Sequence, residues 1–307
     1  MYQVVNGRVC YETTVASSLK LVLRRGVEKV LDAADDRRRI DDRTAPATKI
    51  AQRALFLEYR KQVAAGEPLP KTSETGFRLF SQFDEDGVIL FLLGVAGGST
   101  KRFVDLGAGD GVYASNCANL ALNLGFDGVF VEADAAKAEH ARSFYASHPD
   151  TRERPPVVIN AFITRENVND LVRGAGFQGE VDLLSIDVDG NDYWLWEALD
   201  CVTPRFVVVE AHTELGFEDY VMPYEPGFDW RQAPAGIRIG ASPAAFQRLA
   251  GELGYRLVGS NLYGFNLCFA RNDVGTETLP PVELDTLFRH GSYGRAVAGG
   301  GTPVSGN

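Results

Sequence analysis

Residues 102–111, RFVDLGAGDG, constrain this chain more than any other stretch. Phe103, Val104 and Leu106 make a short apolar run; Gly107, Gly109 and Gly111 then alternate with small or acidic residues. The run reads as a buried strand and the glycines as a tight turn, because glycine adopts positive φ freely and lets another group approach bare backbone. A helix is expected from about Tyr113 to Leu124, its free N–H groups aimed at whatever lies over the turn. The spacing is G-x-G-x-G, not the G-x-G-x-x-G of dinucleotide sites. Asp105 precedes the first glycine by two positions, where a carboxylate attracts an ammonium group and repels a pyrophosphate. The alternative is a structural turn that binds nothing.

The 307 residues carry 41 Asp+Glu against 31 Lys+Arg, a formal net charge of −10. That balance argues against a non-specific nucleic-acid binder. No apolar run approaches the ~20 residues of a membrane helix. The opening MYQVVNGRVC lacks the basic-then-apolar order of a signal peptide. Cys10, Cys117, Cys201 and Cys268 are scattered with no CxxC pair, so neither a zinc site nor a disulfide framework is indicated. The last three fall in or beside expected elements, where a buried thiol is the plain reading. The cytoplasm is the expected compartment.

Residues 14–66 read as helical and charged. Ser17-Ser18 can cap a helix whose stripe is Leu19, Val22, Leu23, Val27, Val30 and Leu31. DDRRRIDDR (35–43) suits a solvated face or loop, a second helix is expected over 48–65, and a third over 81–93 has Asp84, Glu85 and Asp86 in its first turn, favoured there by the macrodipole. Strands are then expected over 102–106, 128–132, 157–163, 181–187 and 205–210. They alternate with helices over 113–124, 135–146, 167–174 and 192–199. A long loop, a helix over 243–253 and strands over 255–260 and 266–271 follow. This alternation means a parallel sheet covered on both faces. The last two strands are too close for a crossover and must form an antiparallel hairpin. The expected fold is therefore α/β, a Rossmann-like seven-stranded, mostly parallel sheet with a terminal β-hairpin. Its expected divisions are a helical extension (1–76), the sheet domain (77–275) and a C-terminal segment (276–307), disordered from Gly291. The extension would serve as a cap or an oligomer contact, and a homodimer is the assembly it suggests.

Ligands of such sheets bind beyond the carboxyl ends of the strands. Those ends offer Asp105, Gly107, Ala108 and Gly109; Glu132 and Ala133; Asn160, Ala161 and Phe162; Asp187; and Glu210. Glu132 can accept two hydrogen bonds from a ribose diol, and Asn160-Ala161 can border an adenine. Asp189, in DVDGND, faces the cleft or caps the next helix. So many carboxylates in one cleft are costly unless they meet cations or donors. Asp187, Glu210 and His212 together could hold a hard divalent cation. Equally, His212 could be a general base, since histidine titrates near neutrality. His140, His148 and His290 read as surface residues. The 213–241 loop, with Tyr220, Met222, Tyr224, Phe228 and Trp230, is a substrate lid or a small packed flap.

VDLGAGDG, followed about twenty positions later by FVEAD, resembles the class I S-adenosylmethionine-dependent methyltransferases. SQFDEDG, LLSIDVDGNDYWLWEAL and RFVVVEAH resemble, more narrowly, the FkbM-type methyltransferases, over residues 77–272. The resemblance implies strand order 3-2-1-4-5-7-6 and methyl transfer to a hydroxyl of a sugar or natural-product small molecule. It implies that Asp105, Gly107, Ala108 and Gly109 line the methionine end of the cofactor. Glu132 and Ala133 would hold the ribose, and Asn160 and Ala161 would border the adenine. Asp187 would stand by the methyl group. Magnesium held by acids ending strands 4 and 5 is known among related enzymes. Asp187 and Glu210 match those places, but Ala211 stands where the second oxygen ligand would be, so His212 or Asp189 would have to substitute. Two other readings stay open. One is an NAD-dependent oxidoreductase, disfavoured by the glycine spacing and Asp105; the other is a non-catalytic S-adenosylmethionine-binding protein.

Overall fold

The structure is a computed structural model and describes residues 39–234 and 236–287. The expected Leu19–Leu31 helix, Cys10, His290 and the glycine-rich end from Gly291 lie outside those residues. The chain divides into two compact units, Met1–Thr48 and Lys49–Asn307, and the second contains the sheet.

The elements run α1 (Pro46–Ala65), α2 (Glu85–Ala96), β1 (Arg102–Leu106), α3 (Ala118–Leu124), β2 (Asp127–Glu132), α4 (Ala135–Ser147), β3 (Val157–Asn160) and α5 (Val168–Gly174). They continue with β4 (Gly179–Ile186), α6 (Asp192–Ala198), β5 (Val202–Glu210), α7 (Pro243–Glu252), β6 (Tyr255–Ser260), β7 (Asn266–Arg271) and α8 (Leu284–Leu287). The seven strands form one sheet in the order β3-β2-β1-β4-β5-β7-β6, as expected. All pairs are parallel except β5–β7 and β6–β7. Leu106 pairs with both Val131 and Ile186, and Ile186 with Val209. This register brings Gly107, Glu132, Asp187 and Glu210 to one edge of the sheet.

Period-two alternation sorts the strands' side chains. Val104, Leu106, Val129, Val131, Leu184, Ile186, Val207 and Val209 share a core with Val168, Trp196, Phe246 and Leu249 from α5, α6 and α7. Phe103 and Phe130 meet edge to face at 5.0 Å, and Phe130 stacks on Tyr145 of α4 at 5.2 Å. Gly128 makes room for the first of these rings, since a Cβ there would lie 1.9 Å from Phe103. α2 is apolar nearly all round and buried from Glu85 to Val95.

Several boundaries differ from expectation, and three of them have a clear local reason. α2 begins at Glu85 because the 79–84 segment is a turn gripped by Asp86. Its Oδ2 accepts from the N–H groups of Leu79, Phe80 and Ser81 at 2.7, 2.7 and 2.9 Å. α3 begins at Ala118, not Tyr113, so no helix starts directly over the glycine turn. Asp110 Oδ1 takes the Val112 and Tyr113 N–H groups, Ala114 sits at φ 55, and Ser115 Oγ takes those of Cys117 and Ala118. These side chains compete with the helix for the backbone donors. β3 stops at Asn160, three residues early; Ala161 makes the last backbone bond to Glu132, and Phe162 is left exposed. The three described cysteines are all free and buried.

At the opposite edge Asp182 and Arg205 form a buried ion pair of 3.0 Å, with side chains 0% and 8% exposed. Asp182 also accepts from Ser99, Thr100 and the Lys101 N–H, while Arg205 donates to the Gly97 and Gly98 carbonyls. Removing one partner strands a buried charge. Arg205→Ala is expected to destabilise the fold by about 3 kcal/mol, measured by urea denaturation. A loss below ~1 kcal/mol would mean that water or a rearranged loop replaces the guanidinium.

Candidate active site

The glycine turn leaves β1 close to β2 and β4. The Gly107 and Ala108 N–H groups both donate to the Val131 carbonyl, at 3.0 and 3.1 Å. Gly107 stands at φ +87, and a Cβ there would lie 1.8 Å from the Asp187 carbonyl oxygen. Gly109 differs: at φ +58, its missing Cβ would meet nothing within 4 Å. The first glycine is thus required by the fold, and the second presents bare backbone to open space.

Glu132 organises the β2 side of the cleft. One carboxylate oxygen accepts from the Gly109 N–H at 2.8 Å and the other from the Asp134 N–H at 2.7 Å. Each oxygen keeps a lone pair for another donor. Asn160 does not hold its amide free for a base: Nδ2 donates to the carbonyls of Glu132 and Ala133 at 3.0 and 2.9 Å. Phe162, 47% exposed, is the apolar surface beside that latch. Asp105 is turned inward and only 3% exposed. Burial pushes its carboxyl up to about 7, against the hydrogen bonds of Cys117, Ser185 and Ser115. Its carboxyl supports the 115–117 loop from beneath.

On the β4–β5 side, Asp187, Asp189 and Glu210 each offer an oxygen within 4.8 Å of the other two. The loop after β4 makes this happen. Asp192 takes the N–H groups of Val188 and Gly190 at 2.8 and 2.9 Å, folding the loop back with Asp189 at φ 56. A non-glycine residue in that region is uncommon and tends to mark functional turns. Asp189 therefore does not cap α6; Asn191 holds the N-cap position. Burial, with Asp192 and Asp189 nearby, pushes the Asp187 carboxyl well above the usual range. Burial and Asp187 do the same to Glu210, and the two carboxyls are hydrogen-bonded to each other. Such a pair shares a proton or holds a cation.

His212 stands outside that group, among the described residues. Its Nδ1 is 2.8 Å from Glu214 Oε1, and its ring is packed on Gly240, whose Cβ would lie 2.2 Å from His212 Cδ2. Nε2 is buried with no hydrogen-bond partner among the described residues. The acidic group at this end of the sheet is therefore Asp187, Asp189 and Glu210, and of the two residues expected to join Asp187 and Glu210 it is Asp189, not His212, that lies within reach. Burial disfavours the imidazolium, but the Glu214 hydrogen bond and charge, with Asp192 and Asp189, outweigh it and raise the His212 pKa. A raised folded value means that this pairing stabilises below the ordinary histidine pKa and is lost as pH rises through the folded one. Glu214→Gln is expected to lower the imidazole midpoint, read from its NMR chemical shift against pH. An unmoved midpoint would assign the shift to the aspartates instead.

The 213–241 loop lies over this edge. Trp230 donates to Asp189, and Phe228 sits where a Cβ on Gly190 would be, 2.5 Å away. Asn191 Nδ2 and Trp194 Nε1 donate to the Glu225 and Met222 carbonyls at 2.8 and 2.7 Å. Arg165 lies over both Trp194 and Tyr224, at 5.0 and 5.2 Å from their ring centres. The loop is therefore packed on the β4 end, its aromatics in contact with the site. Of the remaining histidines, His140 is exposed, whereas His148 has a side chain only 10% exposed, beside Asp150 and Phe144. The surface reading of His148 is corrected accordingly.

No family model matches the chain, and no curated protein matches it. Solved structures do. The chain is similar to the N-terminal domain of EvdMO1, solved with SAH and D-fucose, at 14% identity and a TM-score of 0.40, covering 70% of this chain and 95% of that one. It is similar to magnesium protoporphyrin IX methyltransferase (ChlM) from Synechocystis PCC 6803, at 13% identity and TM-score 0.36, covering 61% and 77%. It is also similar to the CcbJ methyltransferase from Streptomyces caelestis, at 16% identity and TM-score 0.36, covering 61% and 95%. Among the described residues no helix is long and apolar enough to cross a membrane.

Proposed function

We propose that the protein is an S-adenosylmethionine-dependent methyltransferase of the FkbM type, acting in the cytoplasm on a hydroxyl of a small-molecule acceptor. One observation carries the reading. The G-x-G-x-G turn presents Gly109 to open space, with Glu132 fastened to its N–H, on the same sheet edge as a three-carboxylate cluster. A cofactor lying on Gly109 would have Glu132 for its ribose diol and Asp187 at its far end.

Bound S-adenosylmethionine supplies the methyl group and, as a sulfonium, a good leaving group. The chain's own part is to place the acceptor oxygen in line and take its proton. Asp187 and Glu210 are suited to both: a shared proton leaves one oxygen free to accept from the acceptor hydroxyl. With the cofactor bound, that proton would pass to the Asp187–Glu210 pair as the acceptor oxygen took the methyl group and the sulfonium left as a thioether. A hard divalent cation such as magnesium fits the oxygen-only donor set of Asp187, Asp189 and Glu210, and would lower the pKa of an acceptor hydroxyl there. His212 is the second reading for the base. It requires the Gly240 segment to lift off Nε2.

Calorimetric titration with S-adenosylhomocysteine, with and without magnesium, tests the proposal. Binding at about micromolar Kd is expected. Absence of binding in both buffers would overturn the methyltransferase reading and return the dinucleotide one.

A further inference from the structure

Beside the carboxylates, on the β5–β7 side, stands a group of rings that neither the fold nor the cofactor reading uses. Phe83 meets Tyr263 at 4.6 Å and Phe265 at 5.4 Å, edge to face in both cases. Tyr263 and Phe265 lie nearly parallel, at 10° and 6.2 Å. All three are half-buried, and neighbouring Leu262 is 43% exposed. The β6–β7 turn does not need them. Asn261 already closes it, its Oδ1 accepting from the Gly264 and Asn266 N–H groups at 2.9 and 3.3 Å.

The rings are held in place by a buried polar network. Asn261 and Asn266 both donate to Glu85 Oε1, at 2.8 and 2.7 Å, and the Leu262 N–H donates to Asp84 at 2.8 Å. Glu85, Asn261 and Asn266 are 1%, 2% and 4% exposed. Three groups buried at that depth fix the turn before α2 against the β6–β7 turn, and so fix Phe83 against the other two rings. The wall they form adjoins the site. Asn266 pairs with Glu210 in the β5–β7 ladder, and the Phe265 carbonyl accepts from the Ala211 N–H at 2.7 Å.

A fixed aromatic wall next to clustered carboxylates selects a particular chemistry. Asp187, Asp189, Glu210 and Glu214 repel anionic acceptors. They need donors, and a polyhydroxylated ring brings several. Such a ring also has a face of C–H bonds that lies flat on aromatic carbon. A planar aromatic acceptor brings fewer hydroxyl donors to these carboxylates than a polyhydroxylated ring does.

We propose that Phe83, Tyr263 and Phe265 form the acceptor subsite and take the C–H face of a neutral pyranose, turning one of its hydroxyls toward Asp187 and Glu210. This deepens the methyltransferase reading and rests on it. The test is saturation-transfer NMR from the protein's aromatic protons to methyl β-D-glucopyranoside, whose axial C–H bonds share a face, with catechol as the planar probe. Transfer to the axial protons is expected with the wild-type protein. It should fall about fivefold or more in Tyr263→Ala and Phe83→Ala and persist in the conservative Tyr263→Phe, while S-adenosylhomocysteine affinity stays within about twofold in all three. No transfer in the wild type, equal transfer in the alanine variants, or transfer to catechol alone would each overturn the proposal. Failure of S-adenosylhomocysteine to bind, with pyranoside transfer intact, would instead overturn the methyltransferase reading and leave the wall as a sugar-binding surface.

Discussion

Gly107→Ala is expected to destabilise the fold by about 4 kcal/mol, combining left-handed backbone strain with overpacking, and to abolish cofactor binding. The new methyl would lie 1.8 Å from the Asp187 carbonyl oxygen. Neither side can retreat cheaply. The Asp187 N–H is bonded to the Leu106 carbonyl at 2.9 Å, and the Gly107 N–H to Val131 at 3.0 Å. Moving either breaks the β1–β4 or β1–β2 connection that sets the whole edge. Gly109→Ala is the matched comparison, because its methyl would enter open space at φ +58. It should lose only about 1 kcal/mol of stability yet weaken S-adenosylhomocysteine about tenfold or more. Urea denaturation and calorimetry on both proteins separate the effects. Equal affinity in Gly109→Ala and wild type would mean that no ligand lies on that backbone.

The second large effect is at Asp187. Asp187→Asn should reduce turnover, read as S-adenosylhomocysteine release, by about a thousandfold. At neutral pH it should also make the protein more stable, by about 1–2 kcal/mol. The sign follows from the raised Asp187 and Glu210 carboxyls. Between the ordinary carboxylate range and those raised values the folded protein binds more protons than the unfolded chain, so stability falls as pH rises through that window. Asparagine removes one of the coupled charges and flattens the slope. The gain in melting temperature should therefore be largest near pH 8 and vanish near pH 4. A melting temperature that drops at neutral pH would show that the carboxylate is already compensated, as by a bound cation.

Much of the sheet is legible in the chain because its strands are apolar β-branched runs cut by glycine. The Tyr255–Ser260 and Asn266–Arg271 bounds agree with expectation residue for residue. What escaped detection depends on side chains gripping backbone across loops. The late start of α3 is written in Asp110-Gly111 and Ser115-Asn116, both turn-forming pairs, but an apolar stripe running from Val112 obscures them. The choice between His212 and Asp189 beside Asp187 and Glu210 was not legible either. Counting along the strand places His212 next to Glu210, whereas only the fold-back imposed by Asp192 returns Asp189 to the cluster. Asp86, Asp182 and Asn160 show the same limit, since each carboxylate or amide is committed to backbone partners far away or out of pattern. The aromatic wall joins residues 83 and 265, and nothing local relates them.

The place of β7, between β5 and β6, also bears on how the molecule is made. A chain growing from its N-terminus completes β5 well before it can supply that strand's antiparallel neighbour. At ~10 residues per second, the outer edge of Phe206–Val209 waits for seconds with its N–H and C=O groups unpaired, offering a template to any other nascent strand. Arg205 and Glu210 bracket that run, and charges flanking an unavoidable hydrophobic strand discourage such pairing. In the growing chain Glu210, at the end of β5, thus sets a charge beside that open edge before β7 arrives to cover it.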